Sequence, residues 1–120
     1  MNLTTTIRQV GSVTILDIEG AIVFGEKSAA LRALVGELLI KGHKKILLNL
    51  ADVQYIDSSG IGSLVSAFTS VRKRGGELKL LKLTNRVQDV MQITRLNTVF
   101  DIMDDEAVAV KSFEQSAAKA

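Results

Sequence analysis

The chain has 120 residues, of which 47% are hydrophobic and 23% charged, and its net charge is +2 at pH 7. With no cysteine and a single histidine, it offers no disulfide, no thiolate or multi-histidine metal site and no cysteine nucleophile. Aromatic residues make up only 4%, tryptophan is absent, and a surplus of two charges is weak footing for a polyanion, so direct nucleic-acid binding is not expected.

Residues 1–6 lack a basic region followed by an apolar run, so the sequence predicts no secretion signal. The richest apolar window, residues 33–40, contains Glu37 and is far short of the ~20 residues of a membrane span. The expectation is a cytoplasmic chain without membrane insertion. Its length suits one domain over residues 1–120, the last few, about 115–120, forming a frayed tail.

Residues 3–10 and 13–19 read as two strands around Gly11-Ser12, where a glycine opening a two-residue turn suits a tight hairpin. In the second strand Thr14, Leu16 and Ile18 share one face, and Val13 and Ile15 share the other with Asp17 and Glu19. Residues 20–27 read as a loop that carries Ile22, Val23 and Phe24. Ser28 is a candidate N-cap for a helix whose apolar positions are Leu31, Leu34, Val35 and Leu38, and Gly42 ends it. His43 reads as a solvated turn residue. Residues 44–50 form a short, nearly continuous apolar run, the pattern of a strand covered on both faces in a parallel sheet.

Residues 51–56 read as a connection, followed by a second helix over about 58–74. Its apolar residues Ile61, Leu64, Val65, Phe68 and Val71 follow helical spacing, and Gly75-Gly76 stops it. The basic run Arg72-Lys73-Arg74 reads as a solvated helix C-terminus, where cations suit the macrodipole. Residues 78–83 form a strand, 85–94 a helix and 99–103 a last strand, and Asp105 opens a final helix. About five strands and four helices, alternating after the hairpin, predict an α/β fold with a mixed sheet.

The informative stretch is Tyr55-Ile56-Asp57-Ser58-Ser59-Gly60-Ile61-Gly62, where a buried segment hands over to a helix. The first-turn N–H groups there have no intrahelical acceptor, and either Asp57 or Ser58 can cap them. Gly60 and Gly62 are poor helix formers, but they leave the serines uncovered for another backbone to approach. From residue types alone the stretch is first of all an N-cap followed by small residues for tight packing. A serine nucleophile would need a Gly-x-Ser-x-Gly elbow and a histidine base, and a phosphate loop would need Gly-Lys-Ser/Thr; neither pattern is present. No catalytic residue, metal or cofactor is therefore expected.

Residues 56–62, Ile-Asp-Ser-Ser-Gly-Ile-Gly, resemble the signature of the STAS family, specifically its bacterial anti-sigma-factor antagonists. The resemblance extends over residues 3–113. It takes in the strand 46–50, the turn at Gly75-Gly76-Glu77-Leu78 and residues 96–102. It implies a STAS fold and a protein that is ligand and substrate rather than catalyst. By the resemblance Ser58 is phosphorylated by a partner that is both serine kinase and anti-sigma factor, with Ser59 the adjacent hydroxyl. The unphosphorylated form binds that partner, phosphorylation prevents binding, and a phosphatase resets the cycle. The implied partner surface comprises Asp57, Ser58, Ser59, Gly60, Ile61 and Gly62, with Ile22, Val23 and Phe24 on the neighbouring loop.

One departure stands out. The antagonists usually read Gly-Glu-Leu/Ile-Asp after the second strand, and here the stretch is Gly20-Ala21-Ile22-Val23, so Ala21 and Val23 replace both acids. Ile22, Val23 and Phe24 either pack under the first helix or extend an apolar contact surface. A second reading is a non-switching STAS subunit of another assembly, such as a lipid-transport complex. The Ser58 hydroxyl favours the switch, because relatives outside the switching group commonly lack a phosphorylatable residue there.

Overall fold

The computed structural model of the chain describes residues 3–23 and 25–118. Its elements are β1 (Leu3–Val10), β2 (Val13–Ile22), α1 (Glu26–Ile40), β3 (Lys45–Ile56), α2 (Ser58–Lys73), β4 (Glu77–Leu81), α3 (Asn85–Ile93), a 3-10 turn (Leu96–Thr98), β5 (Ile102–Met103) and α4 (Glu106–Ala118). The strands form one sheet in the order β1-β2-β3-β4-β5. The β1–β2 pair is antiparallel and every other pair is parallel, so the sheet is mixed, as the sequence predicts. Gly11 turns the β1–β2 hairpin at φ 60, in the left-handed region where glycine carries no steric penalty. The apolar run at 46–50 lies in β3, the central strand.

Alternation along β2 divides its side chains between two cores. Leu16, Ile18 and Ile22 enter the larger one, with Leu31 and Val35 of α1, Leu64 and Val71 of α2, and Val87 and Met91 of α3. Val13 and Ile15 enter a smaller one on the other face, with Leu47, Leu81, Ala109 and Phe113. The second core is closed by α4, which docks partly through charge. Arg8 of β1 donates to both carboxylate oxygens of Asp17 (2.5 and 2.9 Å) and to both of Glu106 (3.2 and 2.7 Å). Asn49 of β3 adds a 2.8 Å bond to Asp17 Oδ1. Lys79 is almost fully buried beneath the same helix, with its Nζ 2.9 Å from Ser112 Oγ and 4.8 Å from the centre of the Phe113 ring.

Several boundaries differ from expectation. Both β2 and β3 run past their apolar runs, because pairing continues through Glu19↔Asp52, Gly20↔Val53, Ala21↔Tyr55 and Ile22↔Ile56. Residues 20–22 are therefore strand, not loop, and 51–56 are strand, not connection. Helix α1 starts at Glu26 behind Gly25, so Ser28 is not its cap. Strand β4 stops at Leu81 because Lys82 adopts φ 54, and β5 shrinks to two residues behind the 3-10 turn. His43 is half-buried, its Nδ1 3.0 Å from Thr14 Oγ1, and is no free turn residue. Helix α4 runs to Ala118.

The charge contacts of α4 set a pH dependence. Hydrogen bonds from the Arg8 guanidinium are the main cause holding both Asp17 and Glu106 below the ordinary carboxyl range. A carboxyl depressed on folding stabilises the fold above its unfolded value, about 4, and that contribution is lost as pH falls through the folded value. Arg8→Met should therefore lower Tm at pH 7, and the gap to wild type should close as pH drops below about 4. Thermal melts followed by circular dichroism across that range check it; a gap of constant size at all pH values would assign the loss to packing instead.

Candidate functional site

The signature stretch lies where β3 ends and α2 begins. Ile22, the last residue of β2, pairs with Ile56, the last of β3. Its carbonyl also accepts the Asp57 N–H at 3.3 Å, so the two strand ends and the helix entry are tied together. Asp57 has extended backbone (φ −107, ψ −174) and is the N-cap, its Oδ1 accepting the Gly60 N–H at 2.8 Å. This satisfies one of the orphan donors of the first turn, a contribution of about 1 kcal/mol. The carbonyl of Asp57 takes the Ile61 N–H at 2.9 Å as the helix proper begins.

Of the two serines, Ser58 is exposed at the first helical position and Ser59 is half-buried. The Ser59 carbonyl receives the hydroxyl of the buried Ser63 at 3.1 Å, one turn on. Ile61 is half-buried and packs against the larger core.

The two glycines differ in role, Gly60 serving the tight packing and Gly62 the uncovered surface that the sequence reading held for both. A Cβ on Gly60 would come 2.0 Å from the Ile22 carbonyl oxygen and 2.7 Å from Ile56 Cγ1. Gly60 is therefore buried, and it lets the helix sit directly on the ends of the strands. It does not hold the serines open. Gly62 is exposed, and nothing lies within 4 Å of where its Cβ would be, so it does leave the surface beside the serines low.

The β2 end requires a correction. Ile22, expected on the partner surface, is fully buried in the larger core, because β2 extends to it and its side chain turns inward under α1 and α2. Val23 is half-buried at the rim, and Phe24 lies outside the described residues. Ala21, in place of the first missing acid, is also buried.

Sequence reasoning did not bring α3 to this edge. Thr84 caps α3 and donates its hydroxyl to the Val53 carbonyl at 2.9 Å, which fixes the start of that helix against the extended part of β3. Arg86 in its first turn stands 5.6 Å over the ring of Tyr55, the one tyrosine of the chain. A lone exposed tyrosine two residues before the cap was the available signal; its cationic neighbour lies 31 positions away. Among the described residues no group of three or more acidic or histidine side chains is placed to hold a metal ion. No described helix is long and apolar enough to cross a membrane.

The chain belongs to the STAS domain family, which matches residues 4–109. It is similar to the anti-sigma-B factor antagonist of Bacillus subtilis, at 36% identity over 94 residues that cover 78% of this chain and 79% of the relative. It is similar in structure to a candidate anti-sigma factor antagonist from Thermotoga maritima, with a TM-score of 0.85 and 29% identity over 92% of this chain and 94% of that one. The phosphorylated form of the Bacillus cell fate determinant SpoIIAA shares the fold, with a TM-score of 0.71 at 18% identity, over 91% and 98% of the two chains.

The two glycines of the helix start give opposite expectations. Gly60→Ala should destabilise the protein by roughly 1–3 kcal/mol or more, since the methyl group meets backbone that cannot retreat. Gly62→Ala should be stabilising by up to ~1 kcal/mol, since the methyl meets open space in a helix. Urea unfolding of the two variants compares them directly; equal effects would mean that α2 does not rest on the Ile22 carbonyl.

Proposed function

We propose that this chain is an anti-sigma-factor antagonist whose binding to its partner is gated by phosphorylation of Ser58. The observation that carries the reading is the placement of Ser58: exposed, at the first position of α2, directly after a cap that holds the helix without using the serine hydroxyl. The antagonist names of the relatives support the choice of partner. That partner is an anti-sigma factor with serine kinase activity, and a phosphatase restores the unmodified form. The chain acts as one STAS domain in the cytoplasm. It is substrate and ligand in this cycle and not an enzyme, and it touches neither nucleic acid nor the membrane interior.

The physics of the switch is a difference between the free and bound states. A phosphate on Ser58 brings about −1.5 to −2 charges at neutral pH. The helix N-terminus favours an anion by about 0.3–1 kcal/mol, and the neighbouring Asp57 carboxylate opposes it by a comparable amount in solvent. The two effects nearly cancel, so the free domain keeps its fold. A partner surface closing over the same position has to desolvate a doubly charged group, at a cost of several kcal/mol where that surface is apolar or acidic. Asp57, Ser59, Ile61, Gly62 and the half-buried Val23 form the surrounding contact surface. Gly60 belongs to it through backbone alone, and Ile22 supports it from within. With alanine and valine where relatives carry acids, the contact on this side is apolar, and it does not rely on a carboxylate at Ala21 or Val23.

Protein purified from its native host should contain a species heavier by one phosphoryl group, with the modification on the peptide that contains Ser58. Ser58→Ala should bind the partner and lack that species. Ser58→Asp should fold normally by circular dichroism and bind the partner at least about tenfold more weakly. Phosphate confined to Ser59, or equal binding by wild type and Ser58→Asp, would contradict the switch at Ser58.

A further inference from the structure

Away from the signature, a cavity of about 300 Å³ opens between α3, the 3-10 turn and β5. This is the lower end of the usual range for small-molecule sites, roughly 300–1,000 Å³. Its floor is apolar: Met91 is fully buried, and Leu83 and Ile102 are half-buried. Its rim carries the carboxamides of Gln88, Gln92 and Asn97 and the carboxylate of Asp104. Gln88 and Gln92 are one turn apart on α3, Asn97 comes from the 3-10 turn, and Asp104 follows β5. All four of these side chains are exposed at the rim, and none makes a hydrogen bond or ion pair with the rest of the described chain, so all four polar groups face the opening.

The chemistry of the lining selects a class of ligand. Three carboxamides supply donors and acceptors, and one carboxylate supplies acceptors only. Asp104 is the sole formal charge in the lining, so an anionic ligand would meet repulsion with no compensating cation. A ligand with an ammonium or similar donor group is matched, its nitrogen at Asp104 and the carboxamides. Its hydrocarbon body would lie on Leu83, Ile102 and the soft thioether of Met91. We propose that this cavity is a binding site for a small organic amine with an aliphatic or aromatic body, separate from the surface around Ser58.

The test titrates the protein with 2-phenylethylamine and 1-aminopentane, and in parallel with the matched acids 3-phenylpropanoate and hexanoate. The readout is the side-chain amide NMR signals of Gln88, Gln92 and Asn97. The amines should shift these signals along saturating curves in the millimolar range or tighter, and the acids should not. Asp104→Asn should weaken the amines by at least about tenfold, and Gln92→Trp, an exposed position whose new ring fills the opening, should abolish the shifts while the backbone spectrum stays folded. No saturable shift with either amine would overturn the proposal. So would equal response to amines and acids, or amine binding untouched by both substitutions.

Discussion

The contact on which the site depends is between Gly60 and the carbonyl of Ile22. That carbonyl takes the Asp57 N–H at 3.3 Å, and the space above it admits no side chain at position 60. Because α2 rests directly on the ends of β2 and β3, its first turn is placed by backbone, not by long side chains that could change rotamer. The cap from Asp57 then leaves Ser58 at the surface of a rigid corner. A helix set further from the sheet by even one methyl group would lose the Asp57–Ile22 bond or tilt the serine.

A corner of this kind suits a switch that acts on a partner and not on its own fold. A helix N-terminus favours an anion, and the first turn of α2 holds no acidic residue beyond the cap. Stability is invested elsewhere, in the two cores on either face of the sheet and in the Arg8–Asp17–Glu106 cluster that closes α4 onto the back. On the proposed reading, the exposed surface around Ser58 gains or loses charge while the side chains beneath it, Ile22 and Ile56, stay in the larger core. Thr84 and the Arg86–Tyr55 pair continue this edge toward α3, and they give it an aromatic and a cation that the signature alone does not include.

Much of the fold was legible because burial imposes period. In α2, Leu64 and Val71 are fully buried and Ile61, Val65 and Phe68 pack beside them, as their spacing predicts. Leu47 and Leu48 point to opposite cores, which is why the β3 run is continuously apolar. The extensions of β2 and β3 were not legible, because Asp52, Gln54 and Tyr55 are exposed there and break the apolar run while the ladder continues. For the same reason Ile22 read as loop although it is core. Arg8 and Glu106 stand 98 positions apart, and no local pattern announces such a pair. Lys79 lies in the predicted strand 78–83, and its burial follows only once α4, with Ser112 and Phe113, is laid over it.

The central claim is that Ser58 changes charge on a framework that does not move. Its most direct test is amide hydrogen exchange on protein carrying phosphoserine at position 58, compared residue by residue with the unmodified chain. The account predicts altered exchange only around residues 22–23 and 57–62, with protection in the rest of β2, in β3 and in α4 unchanged. Loss of protection through β3 or α4 would contradict it, since the phosphate would then act by loosening the fold and not by confronting a partner with charge.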